Sequence, residues 1–74
     1  MAKFLSDMKP GEEGVVAAIH GDGAVKRRIM DMGVTRNTKI SVRKVAPLGD
    51  PIQITVRGYE LSLRKNEAVN VEMK

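Results

Sequence analysis

The sequence predicts a mainly β protein, folded as a small, partly open barrel that carries one α-helix. Three observations lead to this prediction: short apolar runs alternate with polar residues, glycine and proline separate these runs, and a single segment shows helical spacing. The 74 residues form one domain, 1–74, which is too small for a sheet covered by helices on both faces. A barrel suits such short strands because closure leaves few exposed edges.

The first predicted elements are a turn and a buried strand. Residues 9–11, Lys-Pro-Gly, have turn chemistry, since proline presets one backbone dihedral and glycine accepts a positive one. Gly14–His20 follows as a short apolar run with a β-branched start. Its length favours a strand over a helix.

A helix is predicted over Ala24–Met32. Its apolar face is formed by residues at helical spacing, namely Val25, Ile29 and Met32. Asp22 suits the N-cap position, where its carboxylate accepts a free amide hydrogen. Gly33 suits the position after the C-terminus, because glycine adopts a left-handed conformation at little cost.

Two strands follow the predicted helix. Lys39–Val45 alternates at first, and Val45 then falls out of step, which predicts a β-bulge or the end of the strand there. The turn Ala46–Pro51 leads into Ile52–Val56, which alternates throughout and is the clearest strand signal in the chain. Gly58 ends this second strand.

The C-terminal segment is predicted to close the barrel. Tyr59–Arg64 is interpreted as a helical turn that plugs the barrel with Leu61 and Leu63. Val69–Met73 alternates apolar and polar residues and predicts a final strand. The predicted order is therefore strand, helix, strand, strand, short helix, strand.

Composition restricts the functions to consider. The chain has no cysteine, so neither a disulfide nor a thiolate metal site is available, and a reducing, cytoplasmic setting is expected. No apolar run approaches the ~20 residues of a membrane helix, so we expect a soluble protein without membrane insertion. The net charge of +4 suits an acidic partner, whether nucleic acid, membrane surface or protein, without choosing among them.

Catalytic and metal chemistry have few candidates in this sequence. The single histidine, His20, stands two residues from Asp22. The pair is compatible with a general base and its orienting group, with half of a metal site, or with a strand-end histidine beside a turn aspartate, and the last is favoured. Met30 and Met32 lie two apart on the predicted helix and do not face one ligand. We therefore expect no enzyme activity, no catalytic residue and no cofactor.

Nucleic acid is the main alternative partner. Residues 21–23, Gly-Asp-Gly, resemble a phosphate cradle before a helix, and the triplet Lys26–Arg28 adds positive charge, but the full phosphate-loop pattern is absent. Recognition of single strands normally stacks bases on aromatic side chains, and this chain has only Phe4 and Tyr59. A plain turn, and a partner other than nucleic acid, are favoured.

Three longer segments closely resemble the FeoA family, small cytoplasmic accessories of bacterial and archaeal ferrous iron transport. The segments are PGEEGVVAAI (10–19), RRIMDMGVTRNTKISV (27–42) and APLGDPIQITVRGYELSLRKNEAVNV (46–71). Their most specific parts are Arg28–Gly33, the APLGDP turn, and RGYELSLR followed by Glu67-Ala68. Asn37 stands where the family usually has glycine, and asparagine also tolerates a left-handed turn.

The resemblance implies an SH3-like barrel and a role beside the membrane GTPase that carries ferrous iron. The expected partner is the cytosolic part of that transporter, with the oligomeric state left open. Candidate partner contacts are exposed cations and apolar side chains: Lys26, Arg27, Arg28, Leu48 and Tyr59. Gly33, Pro51 and Gly58 are interpreted as structural residues. Binding of nucleic acid, and direct binding of Fe²⁺ involving His20, remain the alternatives.

Overall fold

The computed structural model describes residues 3–74, which form a six-stranded antiparallel sheet and two short helices. The strands are β1 (Lys3–Phe4), β2 (Glu13–Ile19), β3 (Lys39–Val45), β4 (Ile52–Val56), β5 (Tyr59–Leu63) and β6 (Val71–Met73). The helices are α1 (Gly23–Asp31) and α2 (Lys65–Ala68), and a 3₁₀ turn covers Leu5–Asp7. The strands lie side by side in the order β1-β6-β2-β3-β4-β5.

Strand β2 bends the sheet because it pairs with two different neighbours. Glu13–Val15 pairs with β3, whereas Val16–Ile19 pairs with β6. The change of partner coincides with an irregularity at Ala17, between the pairs made by Val16 and Ala18. Strands that pass from one sheet layer to the next through a bulge make the corners of such folds. The sheet therefore wraps around a core.

One apolar core fills the wrapped sheet. Its buried members come from helices, strands and turns: Leu5, Met8, Val16, Ile19, Ile29, Val34, Ile40, Val42, Ile52, Ile54, Val56, Leu63, Ala68, Val71 and Met73. Strand β4 shows the underlying pattern, because Ile54 and Val56 are buried and Gln53 between Ile52 and Ile54 is exposed. The alternation predicted for this strand is confirmed. Burial of each large aliphatic side chain contributes about 1.5–3 kcal/mol, so a domain of this size depends on most of them.

Helix α1 spans Gly23–Asp31, one residue earlier at each end than predicted, and Asp22 and Gly33 take the positions predicted for them at its two ends. Asp22 Oδ1 accepts a hydrogen bond from the Val25 amide at 2.9 Å and caps the N-terminus. At the other end, the Gly33 amide donates to the Met30 carbonyl oxygen at 3.0 Å, and Gly33 has a φ of +97°. Ile29 is fully buried, so the predicted apolar face packs on the core.

The bulge in β3 lies two residues earlier than predicted. The register with β4 shifts between Val42 and Lys44, and pairing then continues to Val45. The extra residue, Arg43, is exposed and returns Val45 to the inner side, where it packs against the core. The out-of-step apolar residue is thus brought back into register by the bulge.

The prediction of a helical turn at Tyr59–Arg64 is wrong. Tyr59–Leu63 forms strand β5, and the short helix comes later, at Lys65–Ala68. The connection from β4 is the two-residue loop Arg57-Gly58, in which both residues have positive φ, 52° and 84°. This conformation is that of a type I′ hairpin turn, which keeps the flanking strands in register. β5 therefore pairs with β4 over its whole length.

Two further differences from the predicted order lie near the ends of the chain. Val69 does not belong to the closing strand; it is the C-cap of α2 and 45% exposed, and β6 begins at Val71. Lys3–Phe4 forms an additional strand, which pairs with β6 and is too short to show a period in the sequence. Within residues 3–74, neither helix has the length and apolar character needed to cross a bilayer.

Candidate functional site

The basic triplet predicted as a docking surface is divided among three directions. Successive residues of an α-helix point about 100° apart, so Lys26, Arg27 and Arg28 leave α1 on different sides. Lys26 lies toward β2, and Arg28 lies toward α2. Arg27 is exposed on the helix surface between them. The three cations therefore do not form one patch.

Arg28 is tied to the second helix. Its Nε lies 3.0 Å from Glu67 Oε2, and the Glu67 side chain is 10% exposed against 72% for Arg28. The other oxygen, Glu67 Oε1, accepts a hydrogen bond from the Arg64 amide at 3.0 Å. One carboxylate thus caps α2 and joins it to α1. Arg28 is both a structural residue and an exposed cation.

The loop between β3 and β4 is fixed at its base and presents one apolar side chain at its tip. Asp50 Oδ1 accepts a hydrogen bond from the Lys65 amide at 3.1 Å, which joins the loop to α2. Pro51 directly precedes the first residue of β4. Leu48 is 92% exposed. The candidate contact Leu48 is therefore fully available to a partner.

Tyr59 fastens β5 to the end of α1. Its hydroxyl donates a hydrogen bond to the Met32 carbonyl oxygen at 3.1 Å, and the side chain as a whole remains 45% exposed. The hydroxyl also lies against Gly33, where a Cβ atom would collide with it. Gly33 thus needs to be glycine for two reasons, its positive φ and this close approach.

Lys26 lines a shallow groove between α1 and β2, the α1–β2 groove, together with residues that are not among the predicted partner contacts. The groove has a volume of about 420 Å³ and is lined by Ala17, Ala18, Ile19, Lys26, Met30 and Arg36. Lys26 and Met30 are four residues apart, so they share one side of α1. This spacing is the only part of the groove that is visible in the sequence, because Arg36 and β2 reach it through the fold.

His20 contacts Glu72 and not Asp22. His20 Nε2 lies 2.7 Å from Glu72 Oε1, whereas the Asp22 carboxylate caps α1. Among residues 3–74, no three side chains of His, Cys, Asp or Glu form a group that could hold a metal ion. The His20–Asp22 pair is therefore divided between two structural contacts.

The two aromatic residues pack against separate neighbours. The Phe4 ring lies near His20, with ring centroids 6.0 Å apart. Tyr59 lies against Gly33 on the far strand of the sheet order. In the part of the chain that the structure describes, the two rings do not stack on each other. A platform for successive bases, as single-stranded nucleic acids require, is not formed by this pair.

The chain is similar to proteins of one family along nearly its whole length. The family model described as the FeoA domain matches residues 4–74. The NMR structure of an FeoA-like protein from Clostridium acetobutylicum has a TM-score of 0.91 and 40% identity, covering 99% of this chain and 85% of that one. FeoA of Stenotrophomonas maltophilia, a prokaryotic SH3-domain protein in complex with zinc, has a TM-score of 0.81 and 24% identity, covering 100% and 89%. The SH3-like fold implied by the resemblance is confirmed.

A third relative is a much larger protein. The Fe(2+) transport protein A/Fe(2+) transporter FeoB fusion protein of Porphyromonas gingivalis is 33% identical over 70 residues. The match covers 95% of this chain but 8% of the fusion protein, so the chain spans a small part of that relative's length. In that protein, a domain similar to this chain and the FeoB transporter share one polypeptide.

Proposed function

This chain belongs to the FeoA family, which is associated with ferrous iron transport, and we propose that it acts as a non-catalytic, cytoplasmic adaptor of that transport. Its partner is the cytosolic part of the membrane GTPase that carries the ion. The observation that supports this most directly is the fusion of a related domain to the transporter FeoB. A domain that functions on the same polypeptide as the transporter is expected to work next to it.

The fusion also indicates how strong the contact needs to be. A flexible linker gives two joined modules an effective concentration on the order of mM, so even a weak contact stays occupied. A separate chain lacks this advantage and depends on its own surface. We therefore expect the free chain to bind the transporter's cytosolic domain with a Kd of about 1–100 μM.

The accessible side chains suit a contact with a protein surface. Lys26 has no ion-pair partner within residues 3–74, and Leu48 projects from its loop. Tyr59 exposes its ring while its hydroxyl is held by α1. Arg28 adds charge, although its Nε is already bonded to Glu67. Exposed apolar and aromatic groups surrounded by charge are typical of such interfaces.

Isothermal titration of this chain with the purified cytosolic domain of its FeoB-type transporter tests the proposal. We expect saturable heat at a Kd of about 1–100 μM. Leu48→Ser removes an exposed apolar group and is expected to weaken binding, whereas Ser62→Ala, an exposed position on β5, serves as the matched control. A wild-type chain that shows no binding up to about 1 mM would contradict the proposal.

A further inference from the structure

Strand β2 has an unpaired edge beside helix α1. β3 pairs with β2 only as far as Val15, and Val16–Ile19 pairs with β6 on the opposite side. The main chain of Val16 is still bonded to the turn that follows α1. Within the described residues 3–74, the main chain of Ala17–Ile19 makes no backbone hydrogen bond to α1 or to the turn that follows it. Unpaired strand edges are sites at which extended peptides bind.

The α1–β2 groove runs along this edge and combines an apolar surface with two cations. Ala17 and Ala18 have small side chains, which leave space for a larger apolar group from a ligand. Met30 is 42% exposed, and its flexible thioether side chain adapts to different apolar shapes. Lys26 and Arg36 line the same groove from α1 and from the turn after it.

The positive charge of the groove is not compensated. Neither Lys26 nor Arg36 has an ion-pair partner among residues 3–74, and no carboxylate lines the groove. The glutamate carboxylates are all bonded to other residues: Glu12, Glu13, Glu60, Glu67 and Glu72. A ligand that brings carboxylates and one apolar side chain would satisfy both features of the groove.

We propose that the α1–β2 groove binds an extended acidic segment of the transporter's cytosolic part, in which an apolar residue lies between carboxylates. This inference rests on the proposed function and names the surface and the chemistry of the contact. The apolar side chain packs between Ala17, Ala18 and Met30, and the carboxylates pair with Lys26 and Arg36. The peptide backbone adds alongside β2.

Charge complementarity favours this occupant over the others. A second copy of this chain carries the same net charge of +4 and would be repelled. Its exposed Leu48 has a carboxylate close by in the sequence, Asp50, but that carboxylate is already bonded to α2. A nucleic acid would supply negative charge but would leave the apolar part of the groove unfilled. The test distinguishes a second copy of the chain from the proposed occupant, and it also detects a diffuse charge effect of the kind that nucleic acid binding shows.

Two adjacent cations of α1 provide a matched pair of variants. Lys26→Glu and Arg27→Glu change the net charge equally and lie on the same helix, but only Lys26 lines the groove. In titrations against the transporter's cytosolic domain, we expect Lys26→Glu and Arg36→Glu each to weaken binding about 10-fold or more, and Arg27→Glu to weaken it less than about 3-fold. Equal losses from all three variants would overturn the inference, because they would indicate a diffuse charge effect, as nucleic acid binding also shows.

A second measurement separates failure of the groove from failure of the proposed function. Amide chemical shifts of the free chain are followed by NMR during addition of a blocked peptide, Asp-Glu-Leu-Glu-Asp, and of its control Lys-Lys-Leu-Lys-Lys. We expect the acidic peptide alone to shift Ala17–Ile19, Lys26 and Met30, and Lys26→Glu to abolish the shifts. If the transporter domain does not bind but these shifts occur, the chemistry of the groove stands and the proposed partner is wrong.

Absence of shifts in the groove with the acidic peptide would overturn the inference even when the transporter domain binds. Binding would then occur through another surface. Shifts that grow with protein concentration in the absence of peptide would identify a second copy of the chain as the occupant, and would equally contradict the proposal.

Discussion

The two sides of helix α1 differ in how they are used. One side is fastened to other elements. Arg28 pairs with Glu67 of α2, and the Met32 carbonyl oxygen at the end of the helix accepts a hydrogen bond from the Tyr59 hydroxyl. The other side is open, since Lys26 and Met30 face a groove whose charges have no partner within the described chain. Arg28 lies in one of the segments that carry the family resemblance, whereas Lys26 lies outside all three of them.

The residues that hold the fold together and the residues that are free to bind are therefore largely different sets. Arg28, Gly33, Tyr59 and Glu67 hold elements together that are distant in sequence, so substitutions there are expected to change stability. Lys26 makes no ion pair within residues 3–74, so a substitution there is expected to change binding and not stability. The following predictions test that separation, from the largest expected effect to the smallest.

Gly33→Ala is expected to destabilise the fold most. A Cβ at φ +97° adds backbone strain and collides with the Tyr59 hydroxyl, for a total of about 2–3 kcal/mol. Gly49→Ala is the control, because Gly49 also has positive φ but has open space around it, so that it reports strain alone at about 1–2 kcal/mol. The free energies of unfolding are measured in urea, and equal losses would show that the Tyr59 contact contributes nothing.

Glu67→Ala is expected to cost about 1–3 kcal/mol. The substitution removes the cap of α2 and the ion pair between the helices at once. Glu60→Ala is the control, since Glu60 forms an exposed pair with Arg43 at 3.8 Å that contributes roughly 0–0.5 kcal/mol. If both variants unfold at the same urea concentration, α1 and α2 are not fastened by Glu67.

Tyr59→Phe is expected to cost about 0.5–1 kcal/mol, because it removes only the hydrogen bond to the Met32 carbonyl oxygen. The effect should disappear in a chain that already carries Gly33→Ala, in which the hydroxyl is displaced. A double-mutant cycle measured by urea unfolding gives this coupling directly. Additive losses in the free energy of unfolding would show that the hydrogen bond and the glycine contact contribute independently to stability.

Acid titration tests a contact outside both sides of α1. A hydrogen bond from the Lys9 amide, followed by the contact with Lys3, lowers the pKa of Glu12 below 4.5. A carboxylate whose pKa is lowered in the folded state stabilises the fold when the pH is above its ordinary pKa. This stabilisation is lost as the pH falls through the lowered pKa. Wild type should therefore exceed Glu12→Gln in stability at pH 7, and the difference should shrink below about pH 4.5. A constant difference in thermal unfolding across this range would contradict the assignment.

Lys26→Glu is expected to leave the free energy of unfolding within about 0.5 kcal/mol of the wild type. The Lys26 side chain is exposed and has no ion-pair partner within residues 3–74. The same variant is expected to weaken binding strongly, so that stability and binding respond oppositely on the two sides of α1. A stability loss comparable to that of Glu67→Ala would remove the distinction.

The elements with a clear period could be predicted from the sequence. The alternation of Ile52–Val56 predicted β4, and the spacing of apolar residues with Asp22 and Gly33 at the ends predicted α1. The prediction of a helical turn at Tyr59–Arg64 is wrong because Leu61 and Leu63 are two apart in a very short stretch, where a strand and a helical turn look alike. The hairpin loop Arg57-Gly58, which requires positive φ at both residues, resolves that ambiguity.

The candidate site was predictable only in part, for a physical reason. The cations of α1 are visible in the sequence, but their directions depend on which elements pack beside the helix. Glu67 lies 39 positions after Arg28 in the sequence, and only the fold brings the two side chains into contact. Arg36 and the edge of β2 likewise meet Lys26 through the return of the chain after α1.

The sequence alone is enough to predict the class of fold, the bounds of β3 and β4, the caps of α1 and the family, because these depend on local periods, caps and motif order. Three features depend on packing: Arg28 contacts the carboxylate that caps α2, the Tyr59 hydroxyl leaves no room for a Cβ at residue 33, and Lys26 faces an open groove. Local patterns act between residues a few positions apart. Ion pairs, close approaches and grooves form between residues that only packing brings together.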